Sequence, residues 1–510
     1  AVSPKDPNTA VIAAGDYHQP GGCYLYATRD GGLSWSQTSD SLLPPGASYC
    51  IDRPLFSPYI SPAFAANGTL YVGMGAAGTA GFPNGPSSAA VARTTDLGLT
   101  HRTTVVQGPR TVTGTYMPTK SGGLTGTLGQ GTSAMAMTQD RTSELAVDPT
   151  DPNRVYMGWE VTTTAPTGSS GFLGGGFSLV QPTQTVVSTS NDGGATWGAP
   201  VNLTATLAGT KLGSKDGLGP ADLLVGGDGT VYAFAQDSPS SPPGSSSKPV
   251  SNTVMLTSTD HGKTWKAGAI DYRMPYQSLS DPRVAMDPRT GELYLAESLQ
   301  GGPPGSGGSG PETIFVSHST DGGHTWSVPV DVVDPSARDA YDQVEPGISV
   351  APDGRVDVAW QDFRSDPYYR LGPDGKPVAG STMKERYYDI YGASSSDHGS
   401  TWTANYRLSG QTIDSTLTAE VPDAANGPVG VASTNQAAYA TWGNPAPGGD
   451  AGQPEDAYFT RADFTSPLSG GTSGNSTSRN VLWGLIGGGS ALILAGLVLV
   501  GTRLRRRPGS

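Results

Sequence analysis

The chain has 510 residues, 72 of them glycine and 42 proline, and only 15% are charged. That length and composition exclude one small core and a helical bundle, and suit many short strands joined by turns. The formal net charge is −13, and setting aside the four arginines of the last eight residues leaves −17 on the rest; so acidic a surface repels phosphate backbones and argues against nucleic acid as a partner.

In chain order, the first element expected is an apolar strand at residues 10–14. Cys23 and Cys50 follow and are the only cysteines. In an exported chain they read as a disulfide, which would contribute roughly 3 kcal/mol by the loop-entropy model; in a reducing compartment they read as two buried thiols.

An octapeptide, Ser/Thr-x-Asp-x-Gly-x-Thr/Ser-Trp, then recurs along the chain. It occurs at 28–35 (Asp30, Trp35), 190–197 (Asp192, Trp197), 258–265 (Asp260, Trp265), 319–326 (Asp321, Trp326) and 395–402 (Asp397, Trp402). A degenerate copy at 94–101 keeps Asp96 and ends in His101 in place of tryptophan. Such spacing is the signature of a propeller or solenoid. The chemistry is that of a hairpin: the aspartate accepts hydrogen bonds from its own turn, glycine supplies positive φ, and tryptophan packs between neighbouring sheets.

Around the boxes a longer pattern repeats. Strand-turn-strand segments are expected at 62–72, 144–156, 221–232, 283–294, 348–358 and 429–439, each leading through a third strand into a box and a fourth out of it. Four antiparallel strands per repeat make a propeller blade. Counting residues 10–14, there are seven repeats, the last without a box; six blades result if the end repeats merge. The chain ends are expected to meet, because an open edge would expose unpaired backbone.

The boxes resemble the Asp-box, or bacterial neuraminidase, repeat of the sialidase superfamily. The resemblance implies an all-β propeller fold over residues 1–465, with the boxes structural and remote from any active site. It also implies glycan recognition, with exo-sialidase hydrolysis as the chemistry of the catalytic members.

Long Gly/Ser/Pro-rich insertions at 75–90, 161–182, 237–252, 298–312, 363–386 and 443–456 join second to third strands. Strand alternation puts them at the opposite end of each blade from the box turns, together with the links between blades. Loops of this kind on a rigid scaffold are where binding and catalysis usually sit. Second strands deliver Glu160, Gln236, Asp237, Glu297, Gln361 and Asp362 to that end. Links between blades deliver Asp52, Arg53, Asp140, Arg141, Asp216, Asp281, Arg283, Tyr341, Asp342, Gln343, Glu345 and Asp423, and Tyr272, Arg273 and Arg364 join them. The structural alternative is that each aspartate caps a turn and each arginine pairs with it.

A sialidase holds its substrate carboxylate with three arginines and uses a tyrosine nucleophile, a glutamate and an aspartic acid. By position, Arg53, Arg283 and Arg364 would be the arginines, Tyr341 with Glu345 or Glu297 the nucleophile pair, and Asp52 the acid. The family's Arg-Ile-Pro motif is absent, and Arg53-Pro54 is the nearest match. Four of the six histidines lie inside boxes, leaving too few for a histidine metal site. No phosphate loop or nucleophile elbow is present, so no cofactor is expected. A non-catalytic propeller binding a protein or cell-wall partner is the alternative.

Residues 466–480 read as a Gly/Ser/Thr-rich stalk. Residues 481–502 form an uncharged run of 22, long enough to cross a membrane as a helix. Arg503, Arg505, Arg506 and Arg507 follow, which makes 503–510 a basic cytoplasmic tail and puts the N-terminal bulk outside the cell. No signal peptide is visible at the start of the chain, although such an orientation normally requires one.

Overall fold

The computed structural model describes every residue except 17–21, 52–59, 78–86, 114–134, 167–176, 180–182, 209–216, 220, 238–251, 271–276, 279–281, 301–310, 369–385, 416–427, 446–454, 465–480 and 487–510. The strands form seven sheets, and every strand pair inside them that has a defined register is antiparallel. Their number and up-and-down strand order are those of a seven-bladed β-propeller, and the six-blade alternative does not hold.

Sheet 1 (Ala10–Asp16, Gly22–Thr28, Ser36–Gln37) has three strands. An isolated antiparallel bridge from Val2 to Ala10 flanks its first strand. Sheet 4 is the plainest, running Asp222–Val225, Val231–Asp237, Asn252–Ser258 and Lys266–Ala269. Sheet 2 consists of Tyr49–Ile51, Ser61–Phe64, Leu70–Ala77, Ser87–Thr94 and Arg102–Gln107. Sheet 3 consists of Arg110–Thr113, Met135–Val147, Val155–Pro166, Phe177–Leu179, Gln184–Ser190 and Val201–Asn202. Sheets 5 and 6 span residues 277–331 and 343–414, and sheet 7 runs Gly430–Ser433, Ala437–Pro445, Glu455–Asp463 and Val481–Ile486.

By internal contacts the chain divides into two compact units. One holds residues 1–12, 25–38 and 270–510, the other 13–24 and 39–269. In the second unit, apolar clusters fill the spaces between sheets 2 and 3, around Tyr71 and Trp159, and between sheets 3 and 4, around Tyr156 and Leu256. In the first unit, the clusters around Trp360 and around Tyr388 do the same for sheets 5 and 6 and for sheets 6 and 7. Trp360 is fully buried, and its truncation to alanine would cost about 3–5 kcal/mol.

All six boxes form one turn. The leading Ser or Thr hydroxyl accepts from the backbone N–H of the glycine four residues on at 2.8–2.9 Å. One aspartate oxygen accepts the N–H of the seventh residue at 2.8–2.9 Å. The other accepts that residue's hydroxyl at 2.5–2.6 Å. Two successive residues have positive φ; the first of them is glycine in three boxes but Leu97, His261 and His398 in the others, at φ 60–62°. The degenerate copy at Asp96 makes every one of these bonds without a tryptophan, so the turn is closed by the aspartate and hydroxyls alone. The hydroxyl of Thr100, then its N–H, hold the Asp96 carboxyl down to about 2. Three of the box tryptophans pack on the cluster between their own sheet and the preceding one: Trp197 on that of sheets 2 and 3, Trp265 on that of 3 and 4, Trp402 on that of 5 and 6.

Cys23 and Cys50 form the expected disulfide, with Cα atoms 5.3 Å apart, and link sheet 1 to sheet 2 inside the second unit. The expected meeting of the chain ends is also present, inside the first unit. Trp35 of the first box lies on Phe459 of sheet 7, ring centroids 5.0 Å apart.

The C-terminal region departs from expectation at one point. Val481–Ile486, expected to begin a membrane helix, is instead the outermost strand of sheet 7, paired with Glu455–Asp463. The exposed edge of that strand offers unpaired backbone groups, and a short apolar run fits a strand as well as a helix turn. The rest of the expected span (487–502), the stalk and the tail lie outside the described residues. Among the described residues no helix is long and apolar enough to cross a membrane.

Candidate functional site

Sheets 5 and 6 face each other inside the first unit. Sheet 5 consists of Arg283–Met286, Leu293–Gln300, Glu312–Ser319 and Val330–Asp331, with Gln277–Ser278 added at one end. Sheet 6 runs Gln343–Val350, Val356–Asp362, Tyr387–Ser395 and Tyr406–Arg407, with Ile413–Asp414 paired to the third strand. Tyr294, Ala296, Ile314 and Val316 line the face of sheet 5 that packs on sheet 6. Strand alternation puts Ser298 and Glu312 on that face too, because Ser298 pairs with Ile314, two positions along from Glu312. Arg283, paired with Ala296, projects the same way.

Glu312 is the most perturbed acid of this region. Burial of its carboxyl pushes it up to about 8; the Ser298 hydroxyl opposes the shift, and the charges of Asp342 and Glu345 add to it. It therefore holds its proton to higher pH than an ordinary glutamate. Its backbone N–H donates to Asp342 Oδ1 at 2.5 Å, tying the head of the strand to the link between the sheets.

The link itself is built by a single helical turn, Pro335–Arg338, started by Asp334. Tyr341 N–H donates to Ala337 O at 3.0 Å. Gln343, fully buried, donates from Nε2 to Tyr341 O at 2.8 Å and Ala337 O at 3.4 Å. Asp342 is 8% exposed, and its carbonyl accepts from Phe363 N–H at 3.2 Å. Glu345 sits at φ +53°, inside a register shift between Val344 and Gly347. Such a bulge re-aims side chains at the end of a strand, and a non-glycine residue held there is a strained feature of the kind that collects at functional sites.

The sequence candidates therefore separate. Arg283, Tyr341 and Glu345 belong to the facing parts of sheets 5 and 6 and their link. Glu297 is buried but adjacent to Ser298, so it projects from the opposite face of sheet 5. Arg364 forms a forked pair with Asp362, Nε to Oδ1 at 2.8 Å and Nη2 to Oδ2 at 2.7 Å, and its guanidinium lies 3.9 Å from the Tyr391 ring centroid. That is the pairing of a structural arginine. Asp52 and Arg53 lie outside the described residues, as do Asp216, Tyr272, Arg273, Asp281 and Asp423. Glu160 is buried in sheet 3 of the other unit, beside the Thr162 hydroxyl at 3.3 Å.

Glu312 was not among the sequence candidates. Its signal is weak: a lone acid opening a strand, directly after the Gly/Pro-rich segment. A second group missed lies at the same end of sheet 6. Asp366, 3% exposed, accepts from the N–H groups of Tyr368 at 2.8 Å, Arg386 at 2.8 Å and Tyr387 at 3.0 Å. Among the described residues no group of acids, histidines or cysteines is arranged to hold a metal ion.

No protein-family model matches the chain, and no curated protein matches it. Among solved structures it is similar to the Hadza microbial sialidase Hz136, at 15% identity over 82% of this chain and 71% of that one, TM-score 0.41. It is similar to a Trypanosoma rangeli sialidase at 15% identity over 82% of this chain and 54% of that one, TM-score 0.41, and so spans about half of that protein's length. A Dyadobacter fermentans protein of unknown function is matched at 14% identity over 82% of this chain and 99% of that one, TM-score 0.41.

Proposed function

We propose that this protein recognises glycans through the loop ends of its sheets, with the facing ends of sheets 5 and 6 as the binding site. One arrangement carries the reading: the Glu312 carboxyl, which burial raises from the usual glutamate range to about 8, lies within the field of Asp342 and Glu345, and its backbone N–H is bonded to Asp342. A neutral carboxyl donates a hydrogen bond and a carboxylate accepts. Together they match the alternating donors and acceptors of sugar hydroxyls. A proton donor beside a carboxylate is also the minimum apparatus of glycoside hydrolysis, which is the finer form of the reading. The pairing of Arg364 with Asp362 removes one of the arginines a sialic acid carboxylate would need, so the site favours uncharged sugars.

The test uses the full chain in detergent micelles. Calorimetric titration with a panel of neutral oligosaccharides and an α-linked sialoside is expected to find binding that Glu312→Ala weakens at least tenfold. Nitrophenyl glycosides of the same sugars test hydrolysis, which Glu312→Gln would abolish. Binding unchanged in Glu312→Ala, or no binding by the unaltered chain, overturns the site. The commitment of Arg364 also favours a non-catalytic form, in which the same surface holds a protein or cell-wall component. Binding without turnover of any glycoside is its signature.

Membrane attachment through 481–502, with the sheets outside the cell, is the accompanying proposal, supported by the uncharged run and the arginines after it. Residues 487–502 alone would rise only about 24 Å as a helix, short of a hydrocarbon core of about 30 Å. The strand pairing of Val481–Ile486 and a complete span are therefore alternatives, the first belonging to the chain outside a membrane and the second to the chain inserted in one. Retention of the full chain in membranes through an alkaline wash is the expected result, and release into the supernatant would refute it.

A further inference from the structure

We propose that Tyr368 and Tyr387, with Arg386 and Asp414, form a sugar-stacking subsite on the rim of sheet 6, a proposal that rests on the glycan reading but not on Glu312. Among the described large apolar residues that are exposed, Tyr368 is the only aromatic one, with 51% of its surface in solvent. Its ring centroid lies 6.1 Å from that of Tyr387 at 39°. The Arg386 guanidinium stands 4.9 Å over the Tyr387 ring and pairs with Asp414, Nε to Oδ1 at 3.2 Å and Nη2 to Oδ2 at 3.0 Å. Asp414 is in turn the cross-strand partner of Tyr387.

Three features distinguish this group from a chance exposed ring. It is preorganised, because the buried Asp366 carboxylate grips the backbone of Tyr368, Arg386 and Tyr387 together. It is compensated in charge, because Arg386 and Asp414 neutralise each other, so it selects neither anions nor cations. It is also small: one exposed ring is far short of the roughly 800 Å² per partner that a stable protein interface covers. A pyranose fits these terms. One face of the sugar ring is C–H groups, which rest on an aromatic face through weak contacts. Its rim is hydroxyls, which the donors of Arg386 and the oxygens of Asp414 can bond in plane. The subsite shares its end of sheet 6 with Asp342, whose carbonyl accepts from Phe363 N–H just before Asp366.

The experiment is saturation-transfer NMR on the full chain in detergent micelles, irradiating aromatic protons. The probes are methyl β-D-galactopyranoside and methyl N-acetyl-β-D-glucosaminide, monosaccharides too small to need both sites. Transfer to ring C–H protons of at least one probe is expected in the unaltered chain and in Tyr368→Phe, with an at least fivefold loss in Tyr368→Ala. Undiminished transfer in Tyr368→Ala overturns the subsite, as does equal loss in Tyr368→Phe, or no transfer to either probe. Tenfold weaker oligosaccharide binding in Glu312→Ala, together with undiminished transfer in Tyr368→Ala, would leave the glycan reading standing and remove this subsite. Loss in Tyr368→Ala alone would keep the subsite whatever becomes of Glu312.

Discussion

Arg461, in the third strand of sheet 7, donates from Nη1 to the carbonyl oxygen of Gly31 at 2.5 Å, across 430 residues of sequence. The same guanidinium bonds Asp463 Oδ1 from Nε at 2.5 Å. A single side chain thus fastens the first box turn to the last sheet, where Trp35 and Phe459 already meet. Charge-assisted hydrogen bonds of this kind contribute about 1.5–3 kcal/mol. Arg461→Ala should lower the thermal midpoint of the full chain and raise proteolytic cleavage near the N-terminus. An unchanged melting curve would mean that the aromatic contact alone holds the ends.

The proton on Glu312 has a consequence for stability with a definite sign. Its carboxyl is raised in the folded state from the ordinary glutamate range to about 8, so the native chain binds more protons than the unfolded one between those limits. Stability attributable to this group is complete at low pH and falls as pH rises through about 4.5 to 8. Glu312→Gln should remove that slope, and the variant should be the more stable protein at pH 9, by an amount on the order of a few kcal/mol. Denaturation curves at pH 5, 7 and 9 would decide it, and parallel pH profiles would refute it.

His261 and His398 occupy the same box position at φ +61° and +60°, yet substitution by glycine should move stability in opposite directions. The left-handed conformation costs an ordinary residue about 1 kcal/mol that glycine avoids. His261 Nδ1 is buried without a hydrogen-bond partner among the described residues, so His261→Gly should stabilise by about that amount. His398 Nδ1 lies 2.6 Å from Oε2 of Glu292, which is 4% exposed. His398→Gly would leave that carboxylate with fewer partners and should destabilise by about 1–3 kcal/mol. Equal effects in chemical denaturation would show that the turn backbone dominates both.

The pairing of Val481–Ile486 with sheet 7 makes two truncations unequal. A chain ending at residue 486 keeps the outer strand, and one ending at 480 exposes the edge of Glu455–Asp463. The shorter chain should melt lower and aggregate sooner, measured by thermal scattering. Identical behaviour would assign 481–486 to the membrane segment.

The parts of this fold that could be read from the sequence are those whose chemistry is local. Asp30, Asp96, Asp192, Asp260, Asp321 and Asp397 bond within seven residues of chain, so spacing alone identifies their six turns, and the seven strand repeats around them imply the sheets. Arg364 and Asp362 are also local, two residues apart, and their pairing agrees with the structural alternative for that motif. Glu312 was not legible in the same way, because its perturbation comes from burial in the folded chain, with the charges of Asp342 and Glu345, distant in sequence, adding to it. Glu297 and Ser298 differ by one position, and only register decides which of them faces sheet 6. At 481–486 the period of six apolar residues cannot separate strand from helix.

Asp366 fixes the chain on both sides of residues 369–385 with one carboxylate. Loop length adds little to closure entropy once the two ends are joined, about 0.6 kcal/mol for each doubling. The stretch between the two grips can therefore be lengthened, shortened or exchanged at small thermodynamic cost while its base stays seated. In evolutionary terms the rim of sheet 6 is a socket: specificity can drift by swapping what is plugged in, and the scaffold beneath need not be rebuilt.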